Sequence, residues 1–271
     1  KGKMSEVVIS AHQPNFIPYL GFFDKMKKSD IFVIRDDVLF SSNSDSFQHR
    51  NKIRINGNNN LKKPQWKWLT LPIEKKSDLI KNIRIKRNTI KKKDEAWNVE
   101  LLSSIKKNYG NSKFFNGYFP VFERIFDNSD EALLSLNMKI INFLKNVFGI
   151  KTKVVLASSL GLKYGEGENK NASEDLARIC AVLGGSVYLS GFGGKGYLDL
   201  EPFKKRGIKV IFQEYNHPVY EQNYPGFFPN LCSLDGLFCA GRKILADTNR
   251  YKEEITNKYK EEIKEEILVG A

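Results

Sequence analysis

The stretch Val7-Val8-Ile9-Ser10-Ala11-His12-Gln13-Pro14-Asn15-Phe16-Ile17-Pro18-Tyr19-Leu20-Gly21-Phe22-Phe23-Asp24-Lys25-Met26-Lys27-Lys28-Ser29-Asp30-Ile31-Phe32-Val33-Ile34 decides the fold. Its two apolar runs, Val7 to Ile9 and Ile31 to Ile34, have the length and β-branched content of buried strands, and Leu20 to Lys28 between them reads as a helix. A strand, a helix and a second strand in so short a segment form a βαβ unit, which implies a parallel sheet. Pro14 and Pro18 keep the loop from Ala11 to Pro18 out of regular helix. His12, Gln13 and Asn15 are therefore expected at the carboxyl end of the first strand, the edge where open α/β sheets bind ligands.

Working outward, the Ser-, Asn- and Gly-rich residues from Phe40 to Pro72 predict long loops or a hairpin, with a strand over Trp68 to Ile73. A helical section follows from about Glu95 to Phe148. Its clearest member carries Leu133, Leu136, Ile140, Leu144 and Val147 on one face after an Asn128/Glu131 capping-box spacing. Strand and helix signals then alternate again: strand Lys153 to Leu156, helix Ala172 to Leu183 behind an Asn171/Glu174 box, strand Val187 to Leu189, a short helix Leu200 to Lys205 and strand Lys209 to Phe212. A helix over Leu231 to Leu245 and a solvated amphipathic tail over Arg250 to Ile267 close the pattern. The predicted fold is α/β, a parallel-sheet Rossmann-like domain with a helical insertion. Residues 4–94 and 151–271 form the two parts of the α/β domain and residues 95–150 the insertion.

The 271 residues carry a formal net charge of +13, but Lys and Arg are spread along the chain. The densest run, Lys81 to Lys93, alternates basic residues with Ile83 and Ile85 and reads as a solvated strand and loop. Such a surface favours phosphate-bearing substrates in general. No apolar run approaches the roughly 20 residues that span a bilayer, so no membrane span is expected. The opening Lys1-Gly2-Lys3-Met4 passes into the first strand without the apolar region of a secretory signal. Cys180, Cys232 and Cys239 form no CxxC pair, which suits a reducing compartment. The expected location is cytoplasmic.

Several constellations are suited to chemistry. A His beside an amide side chain after a strand is placed to donate to phosphate or to act as acid and base, which nominates His12, and the helix start beside Tyr19 offers N–H groups to an anion. The His-bearing loop at a helix start is also reminiscent of nucleotidylyltransferase-like folds, without their HxGH spacing. Asp36 and Asp37, after the second strand, suit a Mg²⁺ ion or an amine, and equally a turn or cap. Gln48, Arg50 and Lys52 add donors for phosphate or carboxylate, or form a basic surface loop. Gly191-Phe192-Gly193-Gly194-Lys195-Gly196 matches GxGxxG after Ser190, with Glu214 about 20 residues on as in a dinucleotide site. Its late position and the short helix after it favour a tight anion-binding loop with Lys195 as counter-charge. His217, beyond the strand ending at Phe212, is the second acid/base candidate. Cys232, near the next helix start, reads as a packed small residue, with a low-pKa thiol as the alternative.

His12-Gln13-Pro14-Asn15 followed by Pro18-Tyr19-Leu20-Gly21, Asp36-Asp37 and Arg50-Asn51-Lys52-Ile53 resembles the opening signature of the WbqC-like family. Tyr188-Leu189-Ser190-Gly191, Gly194-Lys195, Tyr197-Leu198-Asp199, Gln213-Glu214-Tyr215, His217-Pro218-Val219-Tyr220 and Phe228-Pro229-Asn230-Leu231 with Asp235 resemble its later pattern. Tyr19 stands where a Trp is common, Gly196 where an Asp is expected and Cys232 where a Ser is usual. The resemblance implies a role in bacterial surface polysaccharide and O-antigen assembly. It leads us to expect N-acyl or aminoacyl transfer, glycyl included, to the amine of a nucleotide-linked amino sugar. His12, Asp36, Asp37 and His217 are then the catalytic candidates, and Gln13, Asn15, Tyr19, Gln48, Arg50, Lys52, Ser190, Gly191, Gly194, Lys195, Tyr197 and Asn230 the substrate-binding ones. ATP with Mg²⁺, or an aminoacyl-tRNA, would supply the activated donor. A glycosyltransferase using a nucleotide sugar and a tRNA- or RNA-binding protein are the competing readings.

Overall fold

The computed structural model of the chain describes residues 6–43, 46–56, 65–74, 77–86, 97–127, 131–163 and 171–249. The opening unit is β1 (Val8–His12), α1 (Leu20–Lys27) and β2 (Ile31–Ile34), with Ile9 opposite Ile31 and His12 opposite Ile34 in parallel register. Three later strands, β5 (Lys153–Leu156), β6 (Val187–Ser190) and β7 (Lys209–Phe212), complete a parallel sheet in the order β5-β2-β1-β6-β7. In chain order that is third, second, first, fourth, fifth, the arrangement of a Rossmann-like sheet, whose strand order reverses between β1 and β6.

The sheet is covered on both faces because its strands are apolar in both registers. In β2, Phe32 and Ile34 point to one core with Phe22, Phe23 and Met26 of α1, while Val33 points to the other with Ile9, Ala11, Ala177, Cys180 and Phe203. The second face is closed by α5 (Ala172–Val182) and the short α6 (Glu201–Lys204). On the first face lie α2 (Trp97–Tyr109), α3 (Phe115–Asp127), α4 (Leu133–Val147) and α7 (Ser233–Ala240). Phe122, Leu136, Ile140 and Leu144 of this helical section share one continuous core with α1 and β2. An antiparallel hairpin, β3 (Arg50–Arg54) and β4 (Trp66–Thr70), stands apart from the sheet.

Local signals resolve unevenly. Asn171 caps α5 as its spacing predicts, accepting the Glu174 N–H at 2.7 Å, although the Glu174 carboxylate turns to Arg206 instead of back to the cap. The Asn128 half of the box expected at α4 lies outside the described residues; α4 starts at Leu133, its cap residue Ala132 makes no side-chain bond, and Glu131 pairs with Arg84. In the described part of the basic run, Lys81, Asn82, Arg84 and Lys86 are exposed as a solvated face while Ile83 and Ile85 are buried beneath it, flanked by bridges at Ala132 and Ile73; residues 87–93 lie outside the described residues. The C-terminal helix stops at Ala240, where Gly241 takes a φ of 82°, and a 3-10 segment, Arg242–Asn249, follows. The tail from Arg250 lies outside the described residues. No helix among the described residues is long and apolar enough to cross a membrane.

Candidate functional site

A cleft of about 890 Å³ opens where the strand order reverses, between the carboxyl ends of β1 and β6. His12, Gln13, Asn15 and Tyr19 line it from the loop after β1, and Ser190, Gly191, Gly194 and Tyr197 from the segment after β6. Gln213, Tyr215 and Asn230 close the side beyond β7, and Arg35 stands beyond β2. Its rim carries three large apolar side chains left open to solvent: Leu39 at 60%, Phe192 at 68% and Tyr197 at 73% exposure. None of the described lining residues is an Asp or Glu.

The loop after β1 is held in a costly shape by distant elements. Ile17 has a φ of 43°, an unfavourable value for a β-branched residue, and Asn230 has a φ of 59°. Asn51 of β3 donates to the carbonyls of Phe16 at 3.1 Å and Ile17 at 2.7 Å. Asn137 of α4, fully buried, donates to those of Pro14 and Gln48, each at 2.8 Å, and Ser233 N donates to Pro18 O. The hairpin, the helical section and α7 thus fix one loop at the carboxyl edge of the sheet. Gln48 sits behind it, donating from Nε2 to Gln13 Oε1 at 2.6 Å, which leaves the Gln13 amide nitrogen for the cleft.

His12 Nδ1 lies 2.9 Å from Gln13 O, and a carbonyl only accepts, so Nδ1 carries the proton and Nε2 holds a lone pair. The ring packs edge-on against Phe22. Burial, reinforced by the positive charge of Lys25, lowers its pKa to about 3. Lys25, on α1, is 4% exposed and lines the cleft floor, donating to Ala11 O at 3.0 Å. Desolvation lowers its pKa to about 7. The sequence reading missed Lys25, because burial by β6 and its glycine segment is invisible within α1. Gln213 and Tyr215 were missed too. Gln213 Nε2 bonds Gly21 O and Asp24, so its carbonyl oxygen is left for a ligand. Tyr215 packs edge-on against Tyr19, over Gly21, where a Cβ would stand 2.3 Å from the Tyr19 ring and 2.9 Å from that of Tyr215.

Other nominated residues stand elsewhere. Asp36 accepts from the Ser158 N–H at 3.0 Å and hydroxyl at 2.5 Å, and so caps the 3-10 turn Ala157–Leu160. Asp37 accepts from Arg35 Nε at 2.7 Å. Both carboxylates are thus engaged by protein donors, away from the cleft lining. Arg50 and Lys52 lie on β3, not in a loop, with their cations over Trp68 and Trp66, each 4.3 Å from the ring centroid. They are not among the cleft-lining residues, nor is the exposed Lys195, which lies over Phe192 and Phe212. The glycine segment forms a 3-10 turn, and Gly194 is required there: a Cβ would lie 2.1 Å from Ser190 Oγ. His217 does not join His12 in the cleft. It packs among Tyr215, Tyr220 and Phe227, its Nδ1–H bonded to Pro218 O, and desolvation lowers its pKa.

The segment from Gln213 to Asn230 is anchored behind the cleft by Asp235, fully buried on α7. Its carboxylate accepts from Tyr109 at 2.8 Å, Tyr220 at 2.7 Å and Gln222 at 2.8 Å. Burial raises its pKa, and those donors with the nearby Arg54 oppose the rise. The Cys232 thiol beside it is pushed up to about 12 by burial, which makes it a packed residue and not a nucleophile.

The WbqC-like protein family matches residues 13–246. An uncharacterized Mycobacterium tuberculosis protein, Rv1507c, is 28% identical over 231 residues, covering 84% of this chain and 92% of that one. No solved structure matches.

Proposed function

The chain belongs to the WbqC-like protein family, and from the cleft that its loops build we propose an enzyme that acylates or aminoacylates the amine of a nucleotide-linked amino sugar. The observation that carries this reading is the character of the cleft at the sheet's switch point: a cationic floor, no described carboxylate in its lining, a neutral imidazole and a rim of exposed aromatic rings. Diphosphate suits the floor. Phe192 and Tyr197 are apolar faces for a base or sugar ring. The amide groups of Gln13, Asn15 and Gln213 supply directional bonds of the kind that orient a sugar.

In the transfer itself, the sugar amine attacks the acyl carbonyl carbon, the new C–N bond forms, and the amine proton passes to His12 Nε2. The bond to the leaving group breaks as the tetrahedral oxyanion collapses, and the proton follows the leaving group. His12 is a feeble base in the free protein, but negative phosphate nearby moves its pKa back up toward the ordinary value. The base thus becomes competent when substrate is seated. The activated donor, an amino acid primed with ATP or carried on tRNA, fits the same scheme. Surface polysaccharide assembly is the setting that the family resemblance suggests.

Calorimetry with a matched pair of nucleotide diphosphate sugars, one bearing a free amine and the other a hydroxyl, tests this. The amine form should bind more tightly, because it offers two N–H donors where the hydroxyl offers one, and a site built for both leaves one acceptor unpaired with the hydroxyl. Equal affinity, or tighter binding of NAD than of either sugar, would contradict it.

A further inference from the structure

Among the described residues, the cleft floor holds a buried lysine with no acidic partner. Lys25 is 4% exposed, and its one hydrogen-bond acceptor among the described residues is the neutral carbonyl of Ala11, at 3.0 Å. The other lysine of this face, Lys28, is paired with Asp24 at 2.7 Å, and Arg35 with Asp37 at 2.7 Å. A buried ammonium is normally paired, since its desolvation is costly. Lys25 instead faces a cleft whose described lining contains no carboxylate. It also stands against the glycine segment after β6: a Cβ on Gly191 would lie 3.8 Å from its Nζ, close enough that any longer side chain would cover it. The absence of a side chain there keeps the ammonium reachable from the cleft.

We propose that Lys25 is the counter-charge for a phosphate group of the ligand, seated at the switch point between Ala11 and Gly191. This assigns the phosphate to the floor of the cleft and not to Lys195 on the exposed turn. The inference shares its cleft with the nucleotide-sugar reading but stands on the unpaired ammonium, so either can fail alone. A compact, three-donor ammonium suits a phosphate oxygen.

The proposal carries a titration signature. Lys25 ionises at about 7 in the free protein, so at pH 8 roughly nine-tenths of the molecules hold it neutral, and a phosphate that needs the charged form draws in nearly one proton. The groups that face it do not compete at that pH. His12 on β1 ionises at about 3, Arg35 beyond β2 is paired with Asp37, and burial raises the phenols of Tyr19, Tyr188 on β6 and Tyr215.

The test is calorimetry with pyrophosphate and UDP at pH 8, in buffers of different ionisation enthalpy, on the full chain. Proton uptake approaching one per ligand is expected for the native protein. Lys25→Met should lose that uptake and weaken binding on the order of 10- to 100-fold, the value of a charge-assisted hydrogen bond. Lys25→Arg should retain much of the affinity with no uptake, because guanidinium is already charged, and this variant decides the matter should the Met variant misfold. Unchanged uptake or affinity in Lys25→Met, or acetate and glycine eliciting the uptake while pyrophosphate does not, overturns the phosphate assignment. Uptake with pyrophosphate that no nucleotide sugar improves upon would uphold Lys25 and remove the nucleotide-sugar reading.

Discussion

Replacing Asn137 with Ala tests whether the helical section holds the loop after β1 in place. The side chain is fully buried on α4 and donates from one nitrogen to Pro14 O and Gln48 O, both at 2.8 Å. Truncation leaves two buried carbonyls without that donor. At about 1–3 kcal/mol for each buried group left unsatisfied, the loss is roughly 2–6 kcal/mol. Unfolding entropies near 2.1 cal/mol/K per residue turn this into a fall in Tm of about 4–10 °C for a chain of this size. Asn142→Ala, exposed on the same helix, is the control and should stay within about 0.5 kcal/mol of the native protein. Thermal unfolding followed by circular dichroism reads both, and nucleotide-sugar calorimetry on the folded Asn137 variant should show weakened binding as the Gln13 and Asn15 groups drift. A Tm within a degree of the native value would refute the reasoning, for it would mean that water or a neighbour satisfies both carbonyls.

His12→Ala should abolish turnover while circular dichroism stays native, since the ring lines the cleft at a strand end; a folded variant with normal turnover removes His12 as the base. NMR of the unliganded protein should show the His12 resonance flat from pH 5 to 8, and a midpoint near 6.5 would contradict its burial beside Lys25. The folded pKa lies below the unfolded one, so the stability this group contributes above pH 6.5 is lost as pH falls from about 6.5 toward 3, and His12→Ala should flatten that part of the Tm profile. Gly21→Ala places a methyl within 2.3 Å of the Tyr19 ring, and should cost about 1–3 kcal/mol while loosening Tyr19 and Tyr215 in ligand titrations. Native stability and affinity in that variant would show that the tyrosine pair shifts freely.

The parts of the fold legible in the sequence were those set by neighbours along the chain. The β1-α1-β2 unit, the Asn171 cap and the strands at Lys153 and Lys209 follow from periodicity and capping within a dozen residues. Between Phe40 and Pro72 the hairpin stood only as an alternative to long loops, and the range of β3 was not legible, because Arg50, Asn51, Lys52 and Arg54 hide its alternation and the Trp66–Trp68 strand opposite explains their apolar stems. Site residues divide in the same way. His12 and Gln13 could be placed from the βα turn, whereas the duty of Asp36 is set by Ser158, 122 positions on. Within α1 nothing along the chain distinguishes Lys25 from Lys27 and Lys28. The burial of Lys25 against Ala11 of β1, Phe32 of β2 and the glycine segment after β6 is set by the tertiary packing of α1 on the sheet.

A structure of the protein with a nucleotide diphosphate amino sugar bound would decide where the ligand sits. The expected placement puts the ligand between the carboxyl ends of β1 and β6, its diphosphate against Lys25, its amine within hydrogen-bond reach of His12 Nε2 and its base or sugar ring against Phe192 or Tyr197. Ligand seated instead on the β3–β4 hairpin over Trp66 and Trp68, or on the exposed face of Lys195 with the cleft left to solvent, would contradict it.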